Sequence, residues 1–97
     1  MNVVQLLEKI AKHEEKSKDD LMKESLESYL VSKKTELLRE KLEILTKYNV
    51  TKALDLKTLI KNGKVKEHPA WEDFIEIENI DSEINQIDND IRSIHKN

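Results

Sequence analysis

The sequence predicts an all-α protein, a small helical bundle with two long helices (about 18–48 and 69–95) and two short ones in coiled-coil-like packing. The first observation is that Lys, Glu, Leu and Ile dominate 97 residues that include only one Gly and one Pro. The second is that apolar residues recur every three or four positions along most of the chain. We predict one helical domain over 1–97, comprising a hairpin (1–48), a short helix and connector (49–68) and an acidic heptad helix (69–97).

The first 48 residues predict two helices joined by a short turn. Five apolar residues at helical spacing define the first helix, over 3–15: Val3, Val4, Leu7, Ile10 and Ala11. Ser17 is a favourable N-cap, because its hydroxyl can accept a hydrogen bond from the amide of Asp20. The second helix therefore starts near Lys18 and continues to about Tyr48, because no helix-breaking residue interrupts it.

The middle of the chain predicts a short third helix and a connector. Thr51 is expected to cap the helix, and Asn62–Gly63 is expected to end it, since glycine readily adopts a left-handed conformation after the last turn. Pro69 suits the first turn of a fourth helix, where its missing N–H would have no partner. Glu72 then lies near the positive end of that helix dipole.

The fourth helix carries the most regular pattern in the sequence. Isoleucines occupy 77, 80, 84, 87, 91 and 94, in alternating steps of three and four that predict a heptad stripe. Either this stripe is the buried face of a helix within its own domain, or it packs on another chain. If position 77 is heptad a, the e and g positions are Glu76, Asp81, Glu83, Asp88, Asp90 and His95. Because five of these six are acidic, pairing of the helix with its own copy is disfavoured and a basic partner is preferred.

That basic partner has two candidates. One is the 31–48 segment, of the same or another subunit, where basic side chains outnumber acidic ones. The other is a separate basic protein. Trp71 and Phe74 lie three positions apart at the start of the fourth helix, where they either close the helical core or anchor a partner. The candidate partner-binding residues are Trp71, Phe74, Ile77, Ile80, Ile84, Ile87 and Ile91.

Composition excludes several classes of function. There is no cysteine, and the three histidines are far apart, so we expect no disulfide and no metal site. No phosphate-binding loop or nucleophile motif is present, and we therefore predict a non-enzymatic protein without a cofactor. No apolar run is long enough for a membrane span or a secretory signal, so we expect a cytoplasmic protein.

Charge is divided unevenly along the chain. Residues 1–69 carry 15 basic and 12 acidic side chains (+3), whereas residues 70–97 carry 2 basic and 8 acidic ones (−6). An acidic C-terminal third is expected to attract basic surfaces, either within the protein or on a partner. Nucleic-acid binding is disfavoured, because no strong basic cluster is interleaved with aromatic residues.

Residues 6–30, LLEKIAKHEEKSKDDLMKESLESYL, resemble the helix-turn-helix part of ribbon-helix-helix antitoxins and repressors. The matching features are the apolar residues of the first helix, the Ser17 cap, and the apolar residues at the start and end of the following segment. The resemblance implies a helical dimer whose C-terminal segment engages a partner protein. Met1 to Gln5 show no alternating basic strand pattern, so we expect no counterpart of that family's DNA-reading strand in these residues.

Together these features predict a protein-binding regulator resembling an antitoxin, whose acidic C-terminal helix docks a basic, toxin-like protein. We expect a homodimer or higher oligomer. One alternative is a structural or assembly module that uses the same surfaces for self-association. Another is a DNA-binding regulator, which would require the basic 31–48 helix to contact the phosphates.

Overall fold

A computed structural model describes residues 1–96 and confirms the all-α prediction. Four helices follow one another, α1 (Val3–His13), α2 (Lys18–Lys47), α3 (Ala53–Lys61) and α4 (Glu67–Lys96), and no strand occurs among these residues. Helical geometry in α4 is interrupted at His68, which is extended (φ −119°, ψ 128°), and the His68–Pro69 peptide bond is cis. The uninterrupted part of α4 thus begins at Pro69, as the sequence predicts.

The caps of the N-terminal hairpin combine one expected and one unexpected feature. Ser17 Oγ accepts the amide of Asp20 at 2.9 Å, which confirms the predicted start of α2. α1 is closed by a reciprocal capping box in which Asn2 Oδ1 accepts the amide of Gln5 at 2.8 Å and Gln5 Oε1 accepts the amide of Asn2 at 3.0 Å. Two donors at the helix start are satisfied in this way. The sequence analysis did not predict this box, and α1 ends at His13 instead of 15.

The ends of α3 test two other predictions. The expected cap at Thr51 is wrong, because the N-cap position falls on Lys52, whose side chain makes no capping hydrogen bond. The predicted stop is confirmed, since Asn62 is the C-cap and Gly63 follows with φ of +68°. A residue with a Cβ is strained in that left-handed conformation.

The helices pack around two connected apolar clusters. The closed-end core lies where α3 covers α2 and α4, and its buried residues are Leu45, Leu56, Ile60, Ala70, Phe74 and Ile77. The mid-helix core continues between α2 and α4, and its buried residues are Leu37, Ile80, Ile84 and Ile87. The isoleucine stripe of α4 is therefore the buried face of a helix within its own chain.

The molecule is elongated, measuring 60 × 27 × 18 Å. α2 and α4 form its long axis, α3 packs on α4, and α1 packs on α2. None of the four helices within residues 1–96 combines the length and the hydrophobicity needed to cross a membrane.

Candidate protein-binding groove

Side chains of α2 make three regularly spaced polar contacts with one flank of α4, and we call this set of contacts the ladder. The contacts are Lys34–Asp88 at 2.7 Å, Lys41–Asp81 at 2.6 Å and Glu27–His95 at 2.9 Å. Each step of seven residues along α2 is matched by a step of seven in the opposite direction along α4, so the two helices are antiparallel in a heptad register. The α4 members of the ladder are its three e positions.

The closed end of the bundle carries a further polar contact. The Tyr48 hydroxyl donates a hydrogen bond to Asp73 Oδ2, and Lys47 Nζ approaches the same oxygen at 2.9 Å. Burial tends to raise the pKa of Asp73, but these two hydrogen bonds outweigh it and leave the pKa below its ordinary value. Burial and the bond to Asp73 raise the pKa of the Tyr48 hydroxyl. Asp73 is therefore ionised at neutral pH and ties α4 to the end of α2.

The opposite flank of α4, with heptad position g, borders an open groove of about 340 Å³. No residue of α3 reaches this side, so the face between α2 and α4 is uncovered there. Apolar side chains (Leu37, Ile75 and Ile80) line the groove together with Asn79 and four glutamates (Glu40, Glu72, Glu76 and Glu83).

All the ionisable side chains that line the groove are glutamates. Its lining includes no Lys or Arg, and among residues 1–96 the carboxylates of Glu40, Glu76 and Glu83 take part in no ion pair. Glu72 lies 2.7 Å from Nδ1 of His68, and this hydrogen bond lowers the pKa of the glutamate. Four glutamate side chains thus surround an apolar surface that includes Ile75, which is 52% exposed.

The structure places the sequence-predicted binding residues mostly in the interior. Ile77, Ile80, Ile84, Ile87 and Phe74 are buried against α2 and α3. Trp71 and Ile91 are half-buried beside the same two cores. The rings of Trp71 and Phe74 meet edge to face, with centroids 5.8 Å apart.

Burial of the stripe limits which of these residues a partner could contact in this conformation. A partner cannot reach most of the isoleucine stripe while α2 and α3 cover it, and of the seven predicted residues only Ile80 lines the groove. Ile75 and Glu40, which also line the groove, were not among the predicted binding residues. The g positions of the heptad, Glu76 and Glu83, were the available signal, but the sequence does not show which flank α2 would neutralise.

The fold and the groove define this chain as an antiparallel helical bundle with one open acidic face. The chain belongs to the Uncharacterized protein MJ0235 family, whose family model matches residues 1–97. No curated protein and no solved structure matches it.

Proposed function

We propose that this protein is a non-enzymatic regulator that binds a partner protein, and that its groove receives a basic amphipathic helix of that partner. The ribbon-helix-helix resemblance of residues 6–30 points in the same direction, since the C-terminal segment engages a protein in that family. Here the contacting surface is the g flank of α4 together with Glu40 and Leu37 of α2.

The observation that carries this proposal is the difference between the two acidic flanks of α4. On the e flank, Asp81 and Asp88 each have a lysine of α2 within 2.7 Å. On the g flank, Glu76 and Glu83 form no ion pair with any residue of 1–96, and they border the apolar side chains of the groove. A helix with apolar residues on one side and Lys or Arg at its edges would bury the apolar side chains of the groove and at the same time form ion pairs with these carboxylates.

The dimensions of the groove indicate the length of the ligand. Glu72 and Glu83 are eleven positions apart on α4, a rise of roughly 17 Å at about 1.5 Å per residue. A partner helix of about three turns therefore covers the groove. Its cations would lie four and seven positions apart in order to follow Glu72, Glu76 and Glu83.

DNA binding by the 31–48 helix has less support. Four of its five basic side chains already have anionic neighbours within the chain, with Lys47 close to Asp73, Arg39 at 2.8 Å from Glu43, and Lys34 and Lys41 in the ladder. Phosphates would have to compete with those contacts. The groove carboxylates are also an unfavourable surface for a polyanion.

The test uses two synthetic helical peptides of about three turns. One carries leucines on one face with flanking lysines, and the other carries the same leucines with flanking glutamates. We expect the lysine peptide to bind and the glutamate peptide to bind at least tenfold more weakly. Because exposed ion pairs contribute about 0.2–1 kcal/mol each, the double variant Glu76→Gln/Glu83→Gln should lose about 2- to 30-fold in affinity for the lysine peptide.

Glu78→Gln is the matched control, since Glu78 is exposed on the same helix and does not line the groove. It should bind the lysine peptide as the wild type does. Equal binding of both peptides would refute the proposal, and so would an equal effect of the control and the double variant. A third refuting result is insensitivity of lysine-peptide binding to added salt.

A further inference from the structure

We propose that the N-terminal hairpin, residues 2–30, is the surface through which two copies of this chain associate. In the proposed dimer, α1 of each copy lies against the first half of α2 of the other. This interface is separate from the groove, and it would form an intermolecular four-helix arrangement from two hairpins.

The first support is that the hairpin almost lacks a core of its own. Among residues 1–36 only Ala11 is buried, although the two helices carry many large apolar side chains. α1 has 11 residues, and isolated helices shorter than about 12–15 residues are marginal in water. Such a helix needs tertiary packing on its apolar face, and the single chain supplies only part of it.

The second support is the exposed apolar surface on both helices. On α1, Val3, Leu6 and Ile10 share one side and are 42–82% exposed; on α2, Met22, Leu26 and Tyr29 share one side and are 43–63% exposed. Six large apolar side chains exposed to this degree on one pair of helices form more than the scattered single apolar residues that are normal on a protein surface, and they mark an interaction surface.

Charge identifies a second copy as the partner. α1 carries two basic side chains and one acidic one (net +1), whereas residues 18–30 carry two basic and four acidic ones (net −2). Placing α1 of one copy beside α2 of the other therefore brings opposite charges together twice, because the arrangement is symmetric. Lys9 and Lys12 take part in no ion pair within residues 1–96 and are available for this contact.

Self-association through α4 is less favourable. Its heptad face is already buried against α2 and α3, and residues 70–97 carry a net charge of −6. Two copies of that segment would repel each other.

The test is sedimentation equilibrium of the full chain. We expect a mass of twice the 11.4 kDa chain for the wild type. Leu26→Glu should raise the dissociation constant of the dimer by at least about 100-fold, because each dimer loses two buried leucines. Ile10→Glu should act in the same direction from α1. Leu42→Glu is the matched control, since Leu42 is 63% exposed on the same helix but lies outside residues 2–30, and it should leave the dimer intact.

Hydrogen exchange supplies a second readout. In the Leu26→Glu protein the amides of α1 should exchange faster than in the wild type, while the amides of α4 keep their protection and show that the fold persists. A monomeric wild type overturns the proposal. It is also overturned if the Leu26→Glu protein remains dimeric, or if Leu42→Glu weakens the dimer as much as Leu26→Glu does.

Discussion

Two isoleucines that lie two positions apart on α4, on different sides of the helix, should respond to truncation very differently. Ile77 is fully buried in the closed-end core, whereas Ile75 is 52% exposed in the groove. Ile77→Ala removes three buried carbons, worth about 2.4 kcal/mol at ~0.8 kcal/mol each, and the remaining cavity places the total loss within roughly 2–5 kcal/mol. Ile75→Ala removes half-exposed carbons and leaves no enclosed cavity. Because alanine also has a higher helix propensity than isoleucine, Ile75→Ala should lower the free energy of unfolding by only about 0.5–1 kcal/mol.

Urea unfolding at a fixed protein concentration measures both values. The far-UV circular dichroism follows all helices, and the fluorescence of Trp71 follows the closed-end core, against which it packs. With a slope of about 1–3 kcal/mol per molar, the two midpoints should differ by on the order of 1 M. A loss below about 1 kcal/mol for Ile77→Ala, or equal losses for the two variants, would refute the assignment of the stripe to the interior. Peptide binding should show the reverse order, since only Ile75 lines the groove.

Two contacts between α2 and α4 give further expectations. Tyr48→Phe removes the hydrogen bond to Asp73 and should lower the free energy of unfolding at neutral pH by about 1 kcal/mol. Folding lowers the pKa of Asp73, so the ionised carboxylate stabilises the folded protein at pH values above its ordinary pKa of about 3.9. This stabilisation is lost as the pH falls through the pKa of Asp73 in the folded protein. The difference in free energy of unfolding between the wild type and Tyr48→Phe should therefore shrink below about pH 4. For the Lys41–Asp81 pair, whose side chains are 27% and 44% exposed, a double-mutant cycle with Lys41→Gln and Asp81→Asn should give about 0.5–1 kcal/mol of coupling, and molar salt should reduce it. A coupling that is unchanged by salt would contradict a screened ion pair.

Local signals predicted most of the helical boundaries. The Ser17 cap, the Asn62–Gly63 stop and the Pro69 start each depend on a few neighbouring residues, and each is present in the structure. Thr51 failed as a cap because the chain enters α3 one residue later, so that Lys52 occupies the N-cap position. The Asn2–Gln5 box was within reach of the sequence, because Asn followed three residues later by Gln is the spacing of a capping box.

The groove could not be predicted from the sequence, and the reason is different. Both flanks of the heptad helix are acidic, so residue types alone do not distinguish position e from position g. The difference arises when α2 places Lys34 and Lys41 along one flank and α3 packs at the closed end, leaving Glu76 and Glu83 uncovered. That choice depends on tertiary packing between segments about forty to fifty residues apart, which a single sequence does not display.

The ladder and the isoleucine stripe share one property, which is that both repeat every seven residues. A shift of α4 along α2 by one heptad would again set isoleucines against the same kind of apolar surface, so the repeat alone specifies the alignment weakly. The features that do not repeat lie towards the two ends of the helix pair. At one end Tyr48 meets Asp73 and Phe74 fills the space beneath α3. At the other end the Glu27–His95 contact reverses the order of the Lys–Asp contacts, so a shift by one heptad would bring Glu27 beside Asp88 or Lys34 beside His95. The alignment of the two long helices is therefore set at these ends, and substitutions there are expected to permit sliding that substitutions elsewhere along the stripe would not.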